Sequence, residues 1–315
     1  MNPLPALYGA AVRVRNLLYD RSMLTTYRLE GPVVSIGNLA VGGSGKTPFL
    51  IMLGELLQRR GVAFDVLSRG YRRQTQGVAI VDPNGLPRDF GDEPLLIARK
   101  LGVHVIVGGD RYQAGEIAEA TFGPQLHLLD DGFQHRRLSR EFDIVLVTDT
   151  DAHDSLLPSG RLREPIASLS RADAVVFTND TPPDGPRLHN QLVWRARRDI
   201  VPPETLDPCF AFCGIARPDT FYAQLEAAQV VLAGTRSFCD HHRYSDADLL
   251  ALQRLGQQTG ASIFITTEKD AINLGPLLDK LQPIHIVRVR MTLEDADAAL
   301  DAMLARVAER KQRAA

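Results

Sequence analysis

The sequence predicts an α/β fold: a larger unit built on a mostly parallel sheet, a smaller α/β C-terminal domain, and an amphipathic helix in front of both. Three observations carry this expectation. Short β-branched runs alternate with helical stretches along most of the 315 residues, the pattern of strands covered on both faces by crossover helices. A Pro-rich stretch at 181–186, a strand-like run at 191–197 and the Pro202-Pro203 pair interrupt that alternation and read as a connection between domains. The composition, 44% hydrophobic and 23% charged, suits one large core or two smaller ones and excludes disordered, collagen-like and mini-protein classes.

In chain order, the first element runs from Pro3 to Leu24, where Leu4, Leu7, Tyr8, Ala11, Val12, Leu18 and Tyr19 recur at three- and four-residue intervals. Through Arg28 four arginines face one acid, Asp20, a local charge of +3 in a chain whose net charge is -2. Such a helix suits a membrane interface; it also suits packing on its own domain. Strands are expected at 33–36, 64–67, 103–107, 126–129, 144–147 and 174–177, and a second βα series at 210–213, 230–232, 262–266 and 284–289. After Thr292 an Ala-rich helix places Arg and Lys near its end, where the helix dipole favours cations. The divisions are residues 1–24, 25–190 and 191–315.

A net charge so near zero gives no whole-protein field for nucleic acid or a membrane, so any such partner must meet a local patch. No nucleic acid and no obligate protein partner are expected. Cys209, Cys213 and Cys239 fit neither a disulfide framework nor a common zinc pattern. No apolar run approaches the roughly 20 residues that span a bilayer, and the first residues lack the order of a signal peptide. The chain is therefore expected on the cytosolic side. Arginine outnumbers lysine 31 to 5, which makes each lysine worth locating.

The sharpest motif is Gly37-Asn38-Leu39-Ala40-Val41-Gly42-Gly43-Ser44-Gly45-Lys46-Thr47-Pro48, after a strand and before a helical stretch. It matches G-x-x-x-x-G-K-[ST] except that Ala40 replaces the first Gly. Successive glycines let backbone N–H groups turn onto phosphate oxygens, Lys46 reaches the terminal phosphates, and the Thr47 hydroxyl suits Mg²⁺. The following helix offers its N-terminus to the same anion. The reading is a P-loop, NTPase-like core binding ATP through Val41 to Pro48. The run 126–131 then supplies an apolar strand ending in Asp130 and Asp131, a Walker B pattern whose adjacent carboxylates suit a cation.

Guanine selection generally uses [NT]-K-x-D, and in Thr267-Glu268-Lys269-Asp270 the Lys stands one place too late. That argues against a GTPase. Transfer to a hydroxyl requires a base, and Gly91-Asp92-Glu93-Pro94 offers two carboxylates at a turn, although such a turn also serves as a helix N-cap. Histidines cluster in Phe133-Gln134-His135-Arg136-Arg137 and in 238–244, which contains Asp240-His241-His242. Basic residues cluster around Arg69-Gly70-Tyr71 and Arg161-Leu162-Arg163-Glu164; they suit bidentate phosphate contacts or a solvated face.

Taken in order, V-G-G-S-G-K-T-P, S-R-G-Y, G-D-E-P, L-D-D-G-F-Q-H, L-L-P-S-G-R-L-R-E-P, F-C-G-I, F-x-D-H-H and T-T-E-K-D, spread over residues 33–274, resemble the tetraacyldisaccharide 4'-kinase (lipid A 4'-kinase) family of Gram-negative bacteria. The resemblance implies ATP- and Mg²⁺-dependent phosphorylation of the 4'-hydroxyl of a tetraacyldisaccharide 1-phosphate in lipid A biosynthesis, at the cytoplasmic face of the inner membrane, by a peripheral enzyme. It also implies a smaller C-terminal domain that closes over the nucleotide. Carried over by position, Lys46 and Thr47 are phosphate and metal ligands, Asp92 is the base, and Asp240 and His241 form the Asp-His element in which His241 partners that base. Thr47, Asp130, Asp131, Glu93 and Glu164 are implied near the metal. Asn38, Arg69, Tyr71, Gln134, His135, Arg161 and Arg163 are the candidate substrate residues.

Overall fold

A computed structural model describes residues 4–178, 188, 190–205 and 207–314. The Pro-rich stretch at 181–186 and Pro3 lie outside the described residues. The chain opens with helix α1 (Leu4–Asp20), followed by β1 (Val33–Asn38), α2 (Lys46–Arg59), β2 (Phe64–Ser68) and the short β3 (Ala79–Ile80). Helices α3 (Pro87–Phe90) and α4 (Asp92–Leu101), strand β4 (Val105–Val107), α5 (Arg111–Phe122), β5 (Leu126–Asp130), β6 (Phe142–Val147), the single turn α6 (Asp149–Ala152) and β7 (Ala174–Phe177) complete the first half. The second half contains β8 (Leu192–Val201), β9 (Cys209–Cys213), α7 (Pro218–Ala227), β10 (Leu232–Ser237), α8 (Asp246–Thr259), β11 (Ile263–Thr267), α9 (Glu268–Leu274), β12 (Ile284–Leu293) and α10 (Ala296–Ala314).

All twelve strands form one sheet in the order β10-β9-β11-β12-β8-β7-β6-β1-β5-β2-β4-β3. Pairing is parallel except at β3/β4 and at β8/β12. The β8/β12 pair is therefore a seam where two parallel runs meet. Strands β1, β2, β4, β5, β6, β7 and β9 are buried at every position, as expected when helices cover both faces. Helix ends follow local chemistry. Asp110 accepts from the Tyr112 N–H at the start of α5, Ser245 and Asp248 form a capping box on α8, and Gly102 and Gly260 close α4 and α8 in the left-handed conformation.

The expected strands are present, with shifted ends. The run expected at 230–232 becomes β10, which extends to Ser237. Its Thr235, Arg236 and Ser237 lie on an exposed sheet edge, so hydrophobic patterning carries no trace of them. Helix α10 returns across the seam: Leu300, Met303 and Val307 join the same core as Leu50, Ile144 and Trp194 of the first half and β8. Arg310 pairs with Asp173 beside β7.

Helix α1 is held by polar contacts. Asn16 donates to Glu164 at 2.8 Å, Arg136 donates to the Asn16 carbonyl at 2.9 Å, and Tyr8 donates to the Arg163 carbonyl at 3.0 Å. Gly9, Val12 and Asn16 are its buried residues, while Leu4, Leu7, Val14 and Leu17 stay exposed, Leu7 at 69%. Among the described residues no helix is long and apolar enough to cross a membrane.

Candidate active site

The phosphate loop lies between β1 and α2 at the carboxyl end of the central strand, where open α/β sheets bind ligands. Gly42 and Gly45 have φ of 98° and 84°, values glycine reaches without steric cost, and Gly45 is the N-cap of α2. Lys46 Nζ donates to Asn38 Oδ1 at 3.0 Å and lies 3.5 Å from Asp131. Arg163 makes a two-pronged contact with Asp131, at 2.8 and 2.7 Å, and also reaches the Asn38 carbonyl. Gln134 donates to that carbonyl at 3.0 Å. Asn38, Gln134 and Arg163 thus brace the loop.

Asp130 and Asp131 leave β5 side by side with opposite electrostatics. Asp130 is buried, accepts from the Ser68 hydroxyl at 2.8 Å through Oδ2, and leaves Oδ1 buried without a hydrogen-bond partner among the described residues. Burial, followed by the charges of Glu93 and Asp131, pushes its pKa up to about 7. For Asp131 burial acts in the same direction, but Lys46 and Arg163 outweigh it and hold the carboxyl well below its ordinary range. A divalent cation would satisfy the orphaned Asp130 oxygen. Among the described residues no three acidic, His or Cys side chains form a preformed cage.

The second cluster centres on Asp92, the first residue of α4. Gly91 ahead of it has φ 93° and lies so close to Gly70 and the Tyr71 carbonyl that a Cβ would sit 3.2–3.3 Å from them, so G-D-E-P and S-R-G-Y are packed loop on loop. His241 Nδ1 lies 2.8 Å from Asp92 Oδ2, and Asn273 donates to the same oxygen at 3.1 Å. Lys269 sits 3.1 Å from Asp240, 3.5 Å from Glu93 and 4.0 Å from Asp92, and its Nζ is 3.2 Å from His241 Nε2. An ammonium so close to Nε2 requires that nitrogen as acceptor, which leaves the ring proton on Nδ1, directed at Asp92. Burial disfavours the charged Asp92, but His241 and Lys269 prevail and lower its pKa.

Asp270 explains why three distant motifs converge here. Its Oδ1 accepts from the Gly214 N–H at 2.8 Å and from the Tyr244 hydroxyl at 2.8 Å, and its Oδ2 from the Thr267 hydroxyl at 2.6 Å. That ties F-C-G-I, the His241 loop and T-T-E-K-D together. His241 itself has φ 58° and donates its N–H to the Gly214 carbonyl.

Other expected site residues have different partners. Glu164, expected near the metal, is fully buried and committed to Arg171 at 2.9 Å, Asn16 and Arg15. It anchors α1, because its neighbours across the groove are cations and an amide. Arg161 is paired with Asp154 at 2.8 Å and donates to Thr150. His135 is partly buried, its Nε2 has no hydrogen-bond partner among the described residues, and burial with the charge of Arg111 pushes its pKa down to about 4. Tyr71 is exposed, its ring 5.3 Å from that of His241, and Arg69 is exposed. Sequence reasoning missed Asn273 and left Lys269 without a role. The two stand four residues apart on α9, one face of a helix, and lysine is scarce in this chain; that was the available signal.

The comparisons agree with this geometry. The family described as tetraacyldisaccharide-1-P 4'-kinase matches residues 1–309. A tetraacyldisaccharide 4'-kinase of Koribacter versatilis is 51% identical over 99% of this chain and 100% of its own length; that of Aquifex aeolicus is 36% identical over 86% and 88%. The crystal structure of the "apo" form LpxK from Aquifex aeolicus in complex with ATP superposes with a TM-score of 0.80 at 31% identity, covering 97% of both chains. With a phosphate loop, a paired carboxylate strand and a match across nearly its whole length, this chain belongs to the tetraacyldisaccharide-1-P 4'-kinase family.

Proposed function

We propose that this protein transfers the γ-phosphate of ATP to the 4'-hydroxyl of a tetraacyldisaccharide 1-phosphate in lipid A biosynthesis, with Asp92 as the base. The observation that carries the role of Asp92 is its contact with His241, 2.8 Å away and 149 residues along the chain. A sugar hydroxyl is a poor nucleophile. As its oxygen bonds to the γ-phosphorus and the bond to the β–γ bridging oxygen breaks, its proton passes to Asp92, and ADP leaves. His241 donates from Nδ1 and orients the carboxylate, while Lys269 holds the imidazole in that tautomer. Lys46 and the N–H groups of Gly42 to Thr47 neutralise charge developing on the phosphates.

Mg²⁺ would be held by the Thr47 hydroxyl and the free oxygen of Asp130, with Glu93 nearby, and would supply positive charge against the phosphates. The fold divides, on this reading, at the β8/β12 seam, each side contributing one partner of the Asp92–His241 pair. We also infer that the exposed row Leu4, Leu7, Val14 and Leu17 of α1 rests on the cytoplasmic face of the inner membrane, since acyl chains of the substrate stay in the bilayer.

The deciding experiment is transfer of labelled γ-phosphate to a tetraacyldisaccharide 1-phosphate in detergent, with water and an unacylated disaccharide as controls. ATP turnover with no labelled lipid would sink the reading. Leu7→Asp with Leu17→Asp should abolish co-sedimentation with anionic vesicles while leaving kinase activity in detergent; unchanged sedimentation would remove α1 from the membrane.

A further inference from the structure

The seam brings two arginines to the phosphate loop. Arg198 on β8 is paired with Met291 on β12, and partners in an antiparallel pair project to the same face. That face carries the buried Trp194, Ala196 and Met291, which pack in the core that contains Phe49 and Leu50 of α2. Met291 lies against the loop itself, its methyl 3.1 Å from the position a Cβ would take on Gly45. Arg198 therefore stands beside the start of α2. From the other side, the turn after β9 places the Ala216 Cβ 3.9 Å from the corresponding position on Gly42. The next residue, Arg217, directs its guanidinium to within 3.5 Å of the Thr150 hydroxyl.

Among the described residues no carboxylate pairs with Arg198. Its Nε is buried and without a hydrogen-bond partner among the described residues. Burial and the like charge of Arg217 both push its pKa down, yet a guanidinium does not lose its proton in a protein. Buried charges are ordinarily paired, and here the charged group acting on Arg198 is a second cation, Arg217, with no acid offsetting it among the described residues. An anion of high charge density is the complement that geometry lacks.

We propose that Arg198, on the seam strand β8, and Arg217, from beyond the seam, clamp the polyphosphate of the nucleotide against the Gly42–Thr47 loop. The proposal rests on the reading that this loop holds the phosphates, and it gives the second half of the chain a part in nucleotide binding separate from the Asp92–His241 pair. The ligand class is a nucleoside di- or triphosphate, recognised by charge and not by base.

The test is calorimetric binding of ATP, ADP and inorganic tripolyphosphate to the full chain and to Arg198→Met, Arg217→Met and Lys46→Ala. Each arginine variant should bind ATP and tripolyphosphate about 10- to 100-fold more weakly, with a smaller dependence of affinity on salt. Arg198→Lys should recover part of the loss. Without nucleotide, Arg198→Met should melt no lower than the parent, because it removes an uncompensated charge, and it should lose most of the rise in Tm that ATP confers. ATP affinity unchanged in both arginine variants, with Lys46→Ala impaired, would overturn the clamp alone. A parent chain that binds no ATP would overturn the loop reading with it. A lower Tm for Arg198→Met without nucleotide, together with normal ATP affinity, would make Arg198 a structural residue and also overturn the clamp.

Discussion

Two groups of carboxylates border the phosphate loop, and they differ in the source of their counter-charge. Around Asp92, Glu93 and Asp240 the cation is part of the chain: Lys269 lies within 4.0 Å of all three. At the end of β5 Asp131 is ion-paired with Lys46 and Arg163, while among the described residues Asp130 has a hydroxyl donor and one oxygen without a hydrogen bond. The first arrangement favours an ionised carboxylate at Asp92. The second leaves a negative site whose relief must come from outside. On the proposed reading, identical side chains would serve as base and as metal ligand because of where the protein put its few lysines.

That contrast can be broken at several points. Asp92→Asn should lower kcat by roughly two to four orders of magnitude, the usual contribution of a general base, with the Kd for ATP unchanged; phosphotransfer and binding assays on the same preparation decide it. If ATP binding fell equally, Asp92 would belong with the metal ligands and the two clusters would merge. Removing the internal cation is next in size. Lys269→Met should destabilise the fold by about 1.5–3 kcal/mol, as for lost hydrogen bonds to charged groups, read by urea unfolding. A variant as stable as the parent would mean that water compensates the three acids.

Asp130 offers a test with a pH signature. Its raised pKa, about 7, means that protons compete with a metal there, so apparent Mg²⁺ affinity should fall about tenfold per pH unit below 7. Asp130→Asn should weaken Mg²⁺ dependence at pH 8 by at least about tenfold, as expected for a lost ligand. The sign for stability runs the other way. A carboxyl with a folded pKa above its unfolded value favours folding only while protonated, and opposes it increasingly as pH rises from about 4 to about 7. Asp130→Asn should therefore raise Tm at pH 8 and change it little at pH 4.

The smallest effect concerns a third cluster, remote from the phosphates, whose cation can titrate. His127 on β5 is buried between Asp65, at 2.7 Å, and Glu119, at 3.2 Å. Burial opposes its charge, but Asp65 and Glu119 prevail and raise its pKa. Its contribution is fully present below the ordinary imidazole value and is lost as pH rises through the raised folded value. His127→Gln should cost about 1 kcal/mol at pH 6 and less at pH 9. A pH-independent difference would show that the ring acts by shape alone.

The fold class and the phosphate loop were legible because their signals are local. Buried parallel strands are continuous β-branched runs, and a loop that folds N–H groups onto phosphate demands glycines and a lysine in sequence. The neighbouring acids in L-D-D-G and G-D-E-P, and His241 among its polar neighbours, could be picked out for the same reason. Glu164 shows where such signals stop: it follows Arg163, which braces the loop, yet its carboxylate meets Arg171, Asn16 and Arg15, and no local pattern announces those partners. Arg198 was invisible, one arginine among 31 on a strand whose direction reverses only when β12 is laid beside it.

What the sequence determined by itself was the set of chemical groups and the short segments that present them, since backbone geometry over a few residues depends on those residues. Only the tertiary structure decided which of those groups meet. The sheet brings β9, β11 and β12 to one edge of the seam and β1 to the other, and Asp270 ties three separate loops into one wall. A carboxylate's pKa is set by the charges and donors within a few ångströms of it, and in this chain they come from far along the sequence: Asp92 meets the Lys269 ammonium at 4.0 Å and the Asn273 amide, 181 positions away, at 3.1 Å.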